Sequence, residues 1–178
     1  MLIQNLLLIA GTGNKSGKTT LACRIIGQFR EHGIIGIKIT PHFHETTPGL
    51  ELLNERPDST IYEEKNPELQ KDTSLMLKAG ASKVFFAKVR DADLLNVFRE
   101  ILKYIPNGMP IVCESPALRY FIDPGLFIII KSEHSNNINI NELLNLPHVM
   151  LQLEDIIRVK TLPIEFDDGK WTYSDEII

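Results

Sequence analysis

Apolar positions fall along this chain in short, unbroken runs separated by stretches of helical periodicity. Asn5 to Ala10 (NLLLIA) is apolar after its first residue, the pattern of a strand covered on both faces. Glycines follow at once, and from Lys18 to His32 the apolar residues Leu21, Ala22, Ile25, Ile26 and Phe29 recur at helical spacing, with Gly33 placed to cap the helix. Ile34 to Thr40 (IIGIKIT) reads as a second strand stopped by Pro41, so the first forty residues predict one parallel βαβ unit. Further along, Thr73 to Ala79 predicts a helix closed by Gly80, and Lys83 to Val89 (KVFFAKV) a third strand. Asp93 to Tyr104 predicts a second amphipathic helix, followed by strands at Pro110 to Glu114 (PIVCE) and Leu126 to Lys131 (LFIIIK). Asn141 to Leu146 is expected as a short helix, and Leu162 to Tyr173 as a hairpin turning at Asp168-Gly169.

Strands that alternate with helices and are apolar throughout predict an α/β fold, a mostly parallel sheet with helices on both faces. One segment breaks the rhythm. Residues 45–72 hold eight acidic side chains against three basic ones, a net of −5 that leaves the rest of the chain at +1. Pro48, Pro57 and Pro67 also fall here, so an irregular acidic insertion is expected within a single domain spanning residues 1–178.

Composition narrows the class. With 178 residues, 43% hydrophobic and 24% charged, the chain is long enough to bury roughly two-thirds of its unfolded surface without disulfides or metals. Its net charge of −4 supplies no global attraction to nucleic acid. No apolar run is long enough for a membrane span or a secretion signal, and Cys23 and Cys113 lack metal-ligand spacing, so a reducing, cytoplasmic location is expected.

The chemistry concentrates in Gly11-Thr-Gly-Asn-Lys-Ser-Gly-Lys-Thr-Thr20, which ends as a Walker A motif does. Such a loop lays its backbone N–H groups, here along Gly13, Asn14, Lys15, Ser16 and Gly17, around phosphates held at the positive end of the next helix. Lys18 would bridge the β- and γ-phosphates, and the Thr19 hydroxyl would ligate Mg²⁺ beside Thr20. The one departure is Thr12, where the motif has glycine. Glu114 ends a strand and can hold Mg²⁺ or orient the attacking group, which makes Lys18 and Glu114 the expected catalytic pair. His42 and His44, in Pro-His-Phe-His-Glu45, are either phosphate contacts or metal ligands, and Asp72 is either a helix N-cap or a third Mg²⁺ or substrate ligand. The N-K-x-D guanine motif is absent, and Lys131 with Glu133 is the nearest substitute.

The run Ser16 to Leu21 (SGKTTL), the strand bearing Ile37 and Lys38 before the turn with His42 and His44, and the later Lys71-Asp72-Thr73 with Ala79-Gly80-Ala81 together resemble the MobB family of molybdopterin-guanine dinucleotide biosynthesis proteins. The resemblance covers roughly residues 3 to 114, with a gap across the acidic insertion. The family's V-E-G strand end stands here as Val112-Cys113-Glu114-Ser115. What the resemblance implies is a homodimeric P-loop domain that binds GTP with Mg²⁺, hydrolyses it slowly and assists the nucleotidyltransferase that attaches GMP to molybdopterin. It further implies that Gly13, Ser16, Gly17, Lys18, Thr19 and Thr20 contact phosphate and metal, with His42, His44 and Asp72 lining the site. Two other expectations share the motif: a small-molecule kinase or ligase using ATP or GTP, and a nucleotide-gated binding module without turnover.

Overall fold

A computed structural model describes residues 1–13, 16–43, 47–131 and 140–174. Asn14, Lys15, His44, Glu45 and Glu133, all singled out above, lie outside the described residues.

The first strand, β1 (Leu2–Gly11), runs through the middle of an eight-stranded sheet. Helix α1 (Lys18–Gln28) leads to β2 (Ile35–Thr40), and a hairpin of β3 (Leu50–Arg56) and β4 (Ser59–Glu64) follows. Then come α2 (Asp72–Ala79), β5 (Lys83–Val89), α3 (Leu94–Leu102), β6 (Ile111–Glu114), β7 (Asp123–Lys131), β8 (Val149–Gln152) and α4 (Leu153–Arg158). The described chain closes with β9 (Ile164–Asp167) and β10 (Lys170–Tyr173). The sheet order is β3-β4-β5-β2-β6-β1-β7-β8, parallel from β5 to β8 and antiparallel where the hairpin joins β5.

Both faces of the parallel strands are buried, which is why they read as continuous apolar runs. Leu6, Leu8 and Ala10 of β1 join a core with Leu94, Val97, Phe98 and Ile101 of α3 on one face. Leu7 and Ile9 turn to the other face, where Leu21, Ala22, Ile25 and Ile26 of α1, Met76 of α2 and Trp171 of the terminal hairpin complete a second core. That hairpin turns at Asp168 and Gly169, both at positive φ as a tight two-residue turn requires. Its Trp171 is fully buried, donates from Nε1 to the Asn5 carbonyl at 3.0 Å and meets Phe29 edge-on. Among the described residues, no helix is long and apolar enough to cross a membrane.

Several expectations are corrected. The acidic insertion is ordered over most of its length: β3 and β4 pair antiparallel, Arg56 opposite Ser59, around a tip of Pro57 and Asp58, with one register shift between Leu52 and Asn54. Its charges are those of an edge strand, where side chains such as Glu51 and Glu55 keep an unpaired ladder in water and deter pairing with another chain. Asp72 does not cap α2; the N-cap is Lys71, and Asp72 is the first helical residue, its carboxylate spent on Lys38. The first helix ends at Gln28 and continues only as a 3-10 turn, Arg30–His32, before Gly33 enters the left-handed region. At Asn141 to Leu146 the structure has a 3-10 turn over Leu143–Asn145, and β8 and α4, both unforeseen, follow it.

Chain direction decides where function can sit. From β1 the chain crosses through α1 to β2 on one side, whereas β7 lies on the other side of β1, so the connections diverge at the C-terminal end of β1. In open parallel sheets that divergence leaves a crevice, and ligands bind there.

Candidate functional site

The loop that fills this crevice is built on close approach. An added Cβ on Gly11 would stand 2.0 Å from Ser16 Oγ, so only glycine lets the loop fold back over the end of β1. Gly17, the N-cap of α1, has φ 94°, and a Cβ there would also lie 2.6 Å from Leu153 Cδ1 at the start of α4. Among the described residues no side chain caps α1, whose first N–H groups stand at the positive end of the helix dipole. Ser16 and Gly13 are buried and Thr19 is half-buried, whereas Thr20 is exposed on α1. The Thr12 N–H donates to Ile130 on β7, tying the loop to the far side of the crevice.

Lys18 bends back across the loop and donates from Nζ to the Gly13 carbonyl at 2.9 Å and to Ser16 Oγ at 3.3 Å. Burial lowers its pKa from the ordinary lysine value, the nearby Glu114 carboxylate works against that fall, and the Lys38 ammonium adds to it. These three side chains therefore share one electrostatic environment.

Their meeting is set by strand register. Glu114 ends β6, opposite Ile9 of β1 on one side and Lys38 of β2 on the other. Its side chain is 3% exposed; Oε2 lies 3.5 Å from Lys38 Nζ, and Oε1 is buried with no hydrogen-bond partner among the described residues. Lys38 also makes an ion pair with Asp72 at the start of α2. Asp72 and Glu114 thus converge on one ammonium group. Among the described residues, no three His, Cys, Asp or Glu side chains gather as a metal cage. His42 is exposed beyond the end of β2, its backbone N–H bonded to Thr40 Oγ1, and Lys131 is exposed at the end of β7.

Comparison with family models, curated proteins and solved structures finds no match.

Between the ends of β2 and β5 and the hairpin lies a cavity of about 200 Å³. Lys38, Asp72, Lys71, Leu50, Phe86 and Lys88 are among its walls. Lys71 donates to Thr47 Oγ1 and the Pro48 carbonyl and lies 2.8 Å from the buried Glu64 carboxylate, which also accepts from Thr73 Oγ1 and the Asn66 N–H. Burial alone would raise the Glu64 pKa, yet these donors outweigh it and hold the carboxyl below its ordinary value. The residue that sequence reasoning left without a role is Lys38, which holds the site's two carboxylates together. Its signal was present as a lone cation inside an apolar strand, IIGIKIT.

Proposed function

We propose that the protein is a P-loop nucleotide-binding protein that takes a nucleoside triphosphate with Mg²⁺ on the loop from Gly11 to Lys18. The observation that carries this reading is Glu114 Oε1, a buried carboxylate oxygen with no hydrogen-bond partner among the described residues, at the end of the strand that pairs with β1, from which the glycine-rich loop leads into α1. An unmatched buried acceptor costs about 1–3 kcal/mol, and more when charged, unless a cation or donor meets it. That oxygen and the Thr19 hydroxyl would hold the divalent ion, while Asp72 is linked to Glu114 through the ammonium of Lys38.

Mg²⁺ would neutralise charge developing on the β- and γ-phosphoryl oxygens. The chain's own contribution is positional. The α1 N-terminus and the loop N–H groups orient the phosphates, and Lys18 exchanges its contacts with Gly13 and Ser16 for phosphate oxygens. Its lowered pKa reflects an ammonium partly withdrawn from water, for which the Glu114 carboxylate compensates only in part, and a triphosphate would supply further negative charge.

The resemblance to MobB supports GTP as the nucleotide, slow hydrolysis, and an accessory role beside the nucleotidyltransferase of guanine dinucleotide cofactor synthesis, as a cytoplasmic homodimer. Calorimetric titration with GTP and with ATP, each with and without Mg²⁺, tests this. Mg²⁺-dependent binding with a preference for GTP is expected. Preference for ATP would overturn the MobB-like role, and binding of neither nucleotide would overturn the P-loop reading itself.

A further inference from the structure

The register that sets Glu114 beside Lys38 continues across the sheet. Lys38 pairs with Phe86 of β5, Phe86 with Tyr62 of β4 and Tyr62 with Leu52 of β3. One lateral row therefore runs from the strand carrying the glycine-rich loop to the edge hairpin, passing from carboxylate to ammonium to two stacked rings, whose centroids lie 6.3 Å apart. The cavity of about 200 Å³ sits on this row. Adjacent strands lie about 4.8 Å apart, so β2 is about 10 Å and β5 about 14 Å from β1, beyond the reach of the loop's backbone.

The lining is chemically selective. Leu50 and the Phe86 ring give it an apolar wall, and three lysines, Lys38, Lys71 and Lys88, stand around it against one lining carboxylate among the described residues, that of Asp72. Lys88 is 6% exposed, and its ammonium lies 5.6 Å from the Tyr62 ring centre and 6.0 Å from that of Phe86. The carboxylates that balance Lys71 and Lys38, Glu64 and Glu114, lie behind the wall and do not line it. Helix α2 adds the positive end of its dipole at Asp72 and Thr73. Ligand sites for larger molecules span about 300–1,000 Å³, so this one has room for about one substituted ring.

We propose that this cavity is a second ligand site, one that takes a small planar anion: a single aromatic or heteroaromatic ring lying against Phe86, with a phosphate or carboxylate directed at the lysines. The acidic insertion then has a purpose, since its hairpin supplies the Leu50 wall and Lys71 is tethered to Thr47 and Pro48 at its base. The proposal draws on the triphosphate reading only in treating the site as second to the glycine-rich loop. Lys38 belongs to both places, lining the cavity and touching Glu114.

Phenyl phosphate is the probe, followed by ligand-observed saturation-transfer NMR on the full chain, with benzyl alcohol and benzylamine as neutral and cationic controls. Phenyl phosphate should bind and benzylamine should not. Leu50→Trp, which fills the cavity and removes no charge, should abolish the signal; Phe86→Leu should weaken binding about five- to tenfold through loss of the ring contact. Lys18→Ala should leave the signal intact, because the loop is a different place. Thermal melts of each variant, read at the buried Trp171 for Phe86→Leu and Lys18→Ala and by circular dichroism for Leu50→Trp, confirm that the fold is kept. If Leu50→Trp fails to fold, Phe86→Leu decides. Binding that survives the cavity variants, equal binding of benzylamine, or a signal lost in Lys18→Ala alone would overturn the proposal. Mg²⁺–GTP binding would be unaffected by that failure, and failure of GTP to bind would leave the phenyl phosphate result standing.

Discussion

Lys38 and Glu114 are register partners on adjacent parallel strands, and their charged ends lie 3.5 Å apart at the mouth of the crevice. Breaking such a pair strands the more buried member, here the carboxylate at 3% exposure. Lys38→Met should therefore destabilise the fold by about 3 kcal/mol, the low end for a buried pair because Lys38 retains contact with solvent. The double variant Lys38→Met/Glu114→Leu should recover most of the loss. Urea unfolding of Lys38→Met, Glu114→Leu and the double variant measures both, and single losses that simply add in the double variant would show that the pair carries no coupling.

Glu64 joins the hairpin to α2. Its carboxyl titrates below its ordinary value because Lys71, Thr73 and the Asn66 N–H outweigh burial, so the ionised form stabilises the folded state. That contribution is complete above the unfolded carboxylate value and is lost as pH falls through the lowered folded one. Glu64→Gln should cost about 1–3 kcal/mol at pH 7, and the gap to the wild type should close in acid. Denaturant melts from pH 7 to pH 3 follow it; a gap independent of pH would contradict the assignment.

Gly17 meets two demands at once, a left-handed backbone and the nearness of Leu153. Gly17→Ala should lose about 1–2 kcal/mol from its backbone conformation, together with a steric share from the added methyl. Gly17→Ala/Leu153→Ala should remove the steric share alone, leaving the double variant less destabilised than the two single losses summed. Additive losses would show that α4 does not press on the loop.

The Lys18 ammonium is penalised by burial in the folded state. Below its lowered pKa the residue is charged in both states and the penalty is full; above the unfolded value of 10.5 it is neutral in both and the penalty is gone. The stability of the wild type relative to Lys18→Met should therefore rise as pH climbs through that window. Paired urea melts at pH 7 and pH 10 show the sign, and a difference that stays constant or falls would refute it.

What the sequence made legible follows from burial. β1, β2, β5 and β6 are covered on both faces, and α1 and α3 on one, so their periods stand out. The hairpin β3–β4 hid because an edge strand with Glu51, Asn54 and Glu55 has the composition of a loop. β8 has four residues with alternate burial, and α4 six, too few for a period to show; α4 is instead pinned from far away, by Arg24 donating to the Ile156 and Val159 carbonyls. β7 begins at Asp123, earlier than its apolar run, because Pro124 and Gly125 interrupt the pattern without interrupting the strand. In the candidate site, the glycine-rich loop and Glu114 were legible as local motifs. The bridge from Glu114 through Lys38 to Asp72 was not, since it depends on which strands become neighbours.

The central claim is that the loop from Gly11 to Lys18 binds a nucleoside triphosphate. Calorimetric titration of Mg²⁺–GTP into the wild type and into Lys18→Ala tests it most directly. One saturable site in the wild type should weaken at least about tenfold in the variant, as loss of a charge-assisted contact to phosphate requires. Equal affinity in the two proteins would contradict the account.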